Sequence, residues 1–126
     1  MSERARPMSP HLQVYRWRVT MLLSTLHRLT GLLLSLGAVV LAVWLIGLAS
    51  GPAVYADVQG VLGSDWFKIP LIGWTFCFFL HLFNGVRHLV WDTGAGFGLT
   101  AMSASGWTVL AAAIVSTAGF AVFGIL

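Results

Sequence analysis

Charge is scarce in this chain. Among 126 residues there are seven Lys and Arg and four Asp and Glu, so only 9% of the sequence is charged. A water-soluble domain of this length needs far more polar surface than that. Cysteine is nearly absent too. Cys77 stands alone inside an apolar run, which rules out a disulfide framework, a CxxC metal clip or an iron–sulfur cluster held by this chain. No glycine motif follows a strand in the way a phosphate-cradling loop would, so flavin binding is not expected. Short alternating apolar segments are missing, which argues against a β-barrel. No internal repeat points to an inverted-repeat transporter. The first apolar run is far longer than the h-region of a signal peptide and lacks a small-residue cleavage pattern, so a cleavable leader is not expected.

What the sequence does have is hydrophobicity: 58% of residues are hydrophobic, and the mean hydropathy is +0.87. Three stretches are each long enough for the roughly 20 residues that a membrane helix needs. The expected architecture is an all-α membrane protein with three transmembrane helices, at 19–49, 66–91 and 103–126. They are flanked by an N-terminal segment (1–18), an outer loop (50–65) and a cytoplasmic loop (92–102). Arg4, Arg6, Arg16 and Arg18 precede the first helix, whereas the loop 50–65 holds no Lys or Arg and carries Asp57 and Asp65. The positive-inside rule therefore puts the N-terminus in the cytoplasm and the C-terminus outside, in the periplasm of a bacterium. Trp17, Trp66, Trp91 and Trp107 fall near the span ends, where indoles prefer to sit. The net charge of +3 is too patchy for a nucleic-acid footprint, so the expected surroundings are a lipid bilayer and no nucleic acid.

Polar side chains inside a membrane span are costly, and each needs a reason. On the first helix Ser24, His27, Arg28, Gly31, Ser35, Ala38 and Ala42 recur at helical spacings. From Gly31 to Ala42 this reads as a small-residue packing face. Packing does not explain a Ser, a His and an Arg together at one end. On the second helix Gly73, Cys77, His81, Asn84 and His88 form a similar stripe. His81 and His88 are seven residues, about 10 Å, apart on one face. His81 lies among Trp74, Phe76, Phe78, Phe79 and Phe83. An imidazole there seeks a partner: a neighbouring helix, a proton relay or a haem iron all meet that need. Asn84 and Gly85, one turn on, are small enough to leave room for a flat macrocycle. His27, Arg28, Arg87 and His88 would supply donors to haem propionates. Ser24 and Arg28 would equally suit a quinone, whose reduction needs hydrogen-bond donors and a nearby cation. Asp92 is expected to pair with Arg28 or Arg87, and Cys77 to act as a small packing residue. Ala104, Thr108, Ala112 and Ser116 make a small-residue face on the third helix.

Two separated motifs carry a family resemblance. One is Arg6-Pro7-Met8-Ser9-Pro10-His11-Leu12-Gln13-Val14-Tyr15, continuing through Ser24-Thr25-Leu26-His27-Arg28 and Thr30-Gly31. The other is His81-Leu82-Phe83-Asn84-Gly85-Val86-Arg87-His88, ending Leu89-Val90-Trp91-Asp92. Together with the three-span plan they resemble the haem-binding membrane-anchor subunits of succinate dehydrogenase (respiratory complex II). The resemblance implies that His81 is an axial ligand of a single haem b, shared with a second membrane-anchor subunit. It implies that Ser24 and Arg28 line a ubiquinone site beside the iron–sulfur subunit, and that His27 and His88 lie near the propionates. Arg87 belongs to the motif without a defined contact. Succinate oxidation would then belong to a flavoprotein subunit, and this chain would carry no catalytic residue of its own. Its expected location is the bacterial inner membrane, or the mitochondrial one if the chain is organellar. Three other readings compete: a self-contained cytochrome b that pairs His27 with His81 or two copies of His81, a non-redox scaffold, and a fumarate reductase anchor using menaquinone.

Overall fold

In the computed structural model, described here for His11 and residues 14–125, the chain is all-helical. Helix α1 spans Val19–Ala49, α2 Pro52–Leu62, α3 Asp65–Asp92 and α4 Leu99–Phe120, and a π-helical turn follows at Ala121–Ile125. Three of these are long and apolar enough to cross a membrane: α1, α3, and α4 with its π-turn. The first motif's residues 6–10, 12 and 13 lie outside the described residues, as do Arg4 and Leu126. α1 measures roughly 46 Å at 1.5 Å per residue, against a hydrocarbon core about 30 Å thick. Its uncharged part, residues 29–49, is by itself long enough to span that core.

The core is small and sits where α1, α3 and α4 meet. Leu23, Leu80, Val109 and Ala113 form it, with Val19, Leu26, Phe76, Phe79, Phe83 and Leu110 packed around them. α4 turns Gly106, Val109, Ala113 and Thr117 inward. This is the three-then-four spacing of one helical face. Gly106 is the point of closest approach to α1: a Cβ there would stand 3.2 Å from both Leu23 and Val19. The small-residue face expected from Ala104, Thr108, Ala112 and Ser116 is offset from this one, with Ala104 and Thr108 exposed. α1 behaves in the same way. Ser35, Ala38 and Ala42 are exposed, whereas Leu23, Thr30 and Gly47 are buried. The inward face of α1 is chosen by the bulky rings of α3, which need Gly31 and Gly37 beneath them. The second small-residue face points out of the chain.

The stretch read as an outer loop contains α2. Gly51 takes φ 101°, a conformation that favours glycine, and Pro52 follows at the first helical turn, where its missing N–H costs nothing. α2 folds back on the end of α1: a Cβ on Gly47 would come within 2.9 Å of Val58, and Trp44 Nε1 donates to Gln59 Oε1 at 3.3 Å. At the other end α4 starts at Leu99, four residues ahead of the expected 103. The connection is therefore only residues 93–98, turned by Gly94 (φ 84°) and Gly96 (φ 82°). Gly96 lies against Trp91, which stacks with Phe97 at 6.1 Å. These contacts give the glycine-rich stretch 94–98 a structural use in reversing the chain.

Candidate functional site

α3 brings His81 over α1 at Gly31, one of two glycines of α1 that lie beneath a ring of α3. A Cβ on Gly31 would stand 3.2 Å from His81 Cε1, so the absence of a side chain there is what admits the imidazole. His81 Nδ1 lies 3.1 Å from the backbone oxygen of His27 and 3.1 Å from Thr30 Oγ1. The Thr30 hydroxyl itself donates to the same His27 oxygen at 3.0 Å. A carbonyl oxygen only accepts, so Nδ1 must carry the proton, and Nε2 is the nitrogen left with a free lone pair. That is the usual arrangement of a metal-bound histidine, whose second nitrogen is fixed by a backbone carbonyl or carboxylate.

Two more imidazoles join it. His27 stacks on His81 with ring centroids 3.9 Å apart and planes within 11°, and His88 lies 5.3 Å from His27. His27 Nδ1 is buried without a hydrogen-bond partner, a state that normally costs free energy unless something else reaches it. Space expected beside Asn84 and Gly85 is already taken. Asn84 is 1% exposed, and a Cβ on Gly85 would meet the His27 ring at 3.9 Å.

Arg87 is the second unusual group. It is 6% exposed, and its guanidinium ties α3 to α4. Nε donates to Ser105 Oγ at 2.9 Å, Nη2 to the Met102 carbonyl at 2.8 Å and Nη1 to Asn84 Oδ1 at 3.3 Å. Trp91 covers its face at 4.1 Å. All of these partners are neutral. The expected pairing of Asp92 with Arg28 or Arg87 does not occur, because Asp92 at the helix end is exposed while Arg87 turns inward to α4. The one ion pair among the described residues is Lys68–Asp65, 2.9 Å, at the other end of α3. A buried cation without a counter-ion is expensive in an apolar layer and is stabilised by any anion that reaches it.

Ser24, Thr25, Arg87, His88, Trp91 and Met102 line a cleft of about 430 Å³ at this end of the bundle, where α1 begins and α3 ends. Ser24 and Arg28 are both exposed, one turn apart on α1. Arg28 is not part of the cleft wall. The structure thus brings His27, His81, Asn84, Arg87 and His88 into one connected cluster and leaves Arg28 outside it. Cys77 is buried, as a packing residue should be. Thr30 belongs to the first motif, but its role was not legible in the sequence. An intrahelical Thr so often bonds its own helix that its contact with another helix leaves no pattern.

Among the described residues no three His, Cys, Asp or Glu side chains converge where a metal ion could sit. A metal held mainly by a macrocycle needs only one axial donor from the chain, and the donor set here is one lone-pair nitrogen beside a buried cation and an orphaned imidazole nitrogen. Those residues fit a haem: His81 would offer the axial nitrogen, and Arg87 and His27 would offer polar groups to its carboxylates. The family model described as "Succinate dehydrogenase/Fumarate reductase transmembrane subunit" matches residues 2–120. The chain is 39% identical over 112 residues to the succinate dehydrogenase cytochrome b556 subunit of Rickettsia felis, covering 89% of this chain and 87% of that one. It is 34% identical to the corresponding subunit of Paracoccus denitrificans (87% and 85% covered). It is 33% identical to the mitochondrial cytochrome b560 subunit of Sus scrofa (92% and 70% covered). With three spanning helices, both motifs and a match along nearly its whole length, the chain belongs to the succinate dehydrogenase/fumarate reductase transmembrane subunit family.

Proposed function

We propose that this chain anchors a succinate dehydrogenase in a respiratory membrane, supplies one axial ligand to a haem b through His81, and forms part of a ubiquinone pocket with Ser24 and Arg28. The observation that carries the haem assignment is the engagement of His81 Nδ1 by the His27 carbonyl, which directs the free lone pair to Nε2. When bound, haem b supplies a one-electron acceptor and donor beside the quinone. This chain's own residues would hold it: His81 as the ligand, with Arg87 and His27 available to the propionates and His88 beside His27.

The second axial ligand comes from another anchor subunit in this reading. His27 is poorly placed to be that ligand. Its ring is stacked on His81 with centroids 3.9 Å apart, which would leave no room for a group held between the two imidazoles. The outward small-residue face of Ser35, Ala38 and Ala42 suits a close helix partner. The partners are therefore a second anchor, an iron–sulfur subunit and a flavoprotein subunit, with succinate oxidised in the last. The quinone's developing charge would be met by Arg28, and one carbonyl oxygen by the Ser24 hydroxyl. The Ser24–Arg28 pairing favours ubiquinone over menaquinone. The bacterial cytoplasmic membrane is the proposed location, with the N-terminus and the quinone end inside, following the arginine asymmetry and the bacterial relatives.

The test is a dithionite-reduced minus oxidised optical spectrum of the whole complex, wild type and His81→Ala. A b-type spectrum that is lost or altered in the variant supports the assignment. A wild-type complex with no haem removes it and leaves a haem-free quinone-binding anchor.

A further inference from the structure

We infer that Thr30 is a positioning residue for the haem ligand: its hydroxyl fixes the tautomer and the rotation of the His81 ring, and with them the electron density that Nε2 offers. This rests on the proposed ligand role of His81, and goes beyond it by assigning a use to a residue on a different helix.

The geometry is a closed triangle. Thr30 Oγ1 to His27 O is 3.0 Å, Thr30 Oγ1 to His81 Nδ1 is 3.1 Å, and His81 Nδ1 to His27 O is 3.1 Å. Only one distribution of protons satisfies all three edges. The hydroxyl proton goes to the carbonyl, and the Nδ1 proton is shared between the hydroxyl oxygen and the carbonyl as a three-centre bond. The opposite choice would leave the Nδ1 lone pair facing the His27 oxygen at hydrogen-bond distance with no proton between them. Thr30 is 4% exposed, so water does not compete for its hydroxyl. Thr30 also holds the ring in rotation. His81 has Gly31 against one edge, with 3.2 Å clearance to a would-be Cβ, and His27 against its face. The pair of acceptors on Nδ1 fixes the remaining freedom about the Cβ–Cγ bond. Acceptors on the non-ligating nitrogen make the ligating one more basic. A more basic ligand favours the oxidised metal. Losing one acceptor therefore raises the midpoint potential.

The experiment compares the purified complex carrying wild type, Thr30→Val and Thr30→Ser in the anchor. It reads haem content, the haem midpoint potential by redox titration and the ferric low-spin EPR signal. Val keeps the shape and removes the hydroxyl, and Ser restores the hydroxyl. The expected result is a higher midpoint potential and a moved or broadened EPR signal in Thr30→Val, with Thr30→Ser returning toward wild type. Loss of haem from an assembled Thr30→Val complex, recovered in Thr30→Ser, supports the same conclusion. An unchanged potential and EPR signal in Thr30→Val would overturn it, as would Thr30→Ser behaving like Thr30→Val, which signals a packing effect alone. A parallel His81→Ala sample separates the two claims. If that variant keeps a wild-type spectrum, the ligand assignment itself fails and the positioning role falls with it. If only His81→Ala alters the haem, the ligand stands and the Thr30 role is refuted.

Discussion

Trp74 and His81 sit seven residues apart on α3, and α1 receives both in the same way. Trp74 Nε1 donates to the Leu33 carbonyl at 3.1 Å over Gly37, where a Cβ would lie 3.2 Å from the indole. His81 Nδ1 donates to the His27 carbonyl at 3.1 Å over Gly31, with the same 3.2 Å clearance. A glycine admits the ring, and a carbonyl one turn earlier in α1 takes its N–H. Indole has a single ring nitrogen, so at Trp74 this contact uses up the polar chemistry and the result is structural. Imidazole has two, so at His81 the same contact leaves a lone pair. The surroundings differ accordingly. Around Trp74 lies an apolar groove walled by residues such as Leu41, Leu71 and Phe78. His81 instead belongs to a polar cluster that extends through His27 and Thr30 to His88, Asn84 and the buried Arg87. One packing device serves both sites, and the number of nitrogens in the ring decides what each can do.

Breaking the polar end at its cation has the largest expected effect on stability. Arg87→Met removes three hydrogen bonds, two linking α3 to Ser105 and Met102 of α4 and one to Asn84 within α3. At roughly 1.5–3 kcal/mol per charged hydrogen bond, partly offset by the lower desolvation cost of Met, a net loss of about 3 kcal/mol is expected. Thermal inactivation of the detergent-solubilised complex measures it, and Arg87→Lys should recover only part because a single ammonium cannot reproduce the fork.

The two glycines give the sharpest contrast. Gly31→Ala and Gly37→Ala each push a methyl group into a ring, an overpacking that costs about 1–3 kcal/mol. Similar losses of thermal stability are expected in both. Only Gly31→Ala should also lower haem content or move the haem spectrum, since only its ring bears the proposed ligand. If Gly37→Ala perturbs the haem equally, the division between a structural ring and a ligating ring is wrong.

Effects at the cleft should be smaller and confined to quinone. Ser24→Ala removes a neutral hydrogen bond of about 1 kcal/mol, so KM for a short-chain ubiquinone should rise roughly fivefold. Haem content should stay unchanged. Trp74→Phe is expected to do least, costing about 1 kcal/mol for one lost hydrogen bond and leaving the spectrum alone.

The long-range plan of this molecule was legible because it rests on hydrophobic runs: residues 19–49 read as one helix and form one. The polar stripe of α3 was legible because buried polar groups stand out against lipid, and His81, Asn84, Arg87 and His88 do converge. Rotation of the helices about their own axes was not. Small residues on α1 and α4 form two candidate faces each, and only the rings of α3 choose between them. Residues 50–65 read as a loop, yet Pro52 stands at a first helical turn, where proline starts helices as readily as it ends them. Arg87 was given acidic or propionate partners because charge is visible in sequence. The Ser105 hydroxyl and Met102 carbonyl that hold it are not, since every helix has such groups.

The central claim is that the His81 imidazole meets a haem iron. The most direct measurement is the reduced-minus-oxidised spectrum of the complex carrying His81→Gly, recorded before and after adding free imidazole. The account predicts a lost or altered b-type spectrum that returns toward wild type as imidazole fills the vacated space. A wild-type spectrum in the variant without imidazole would contradict it.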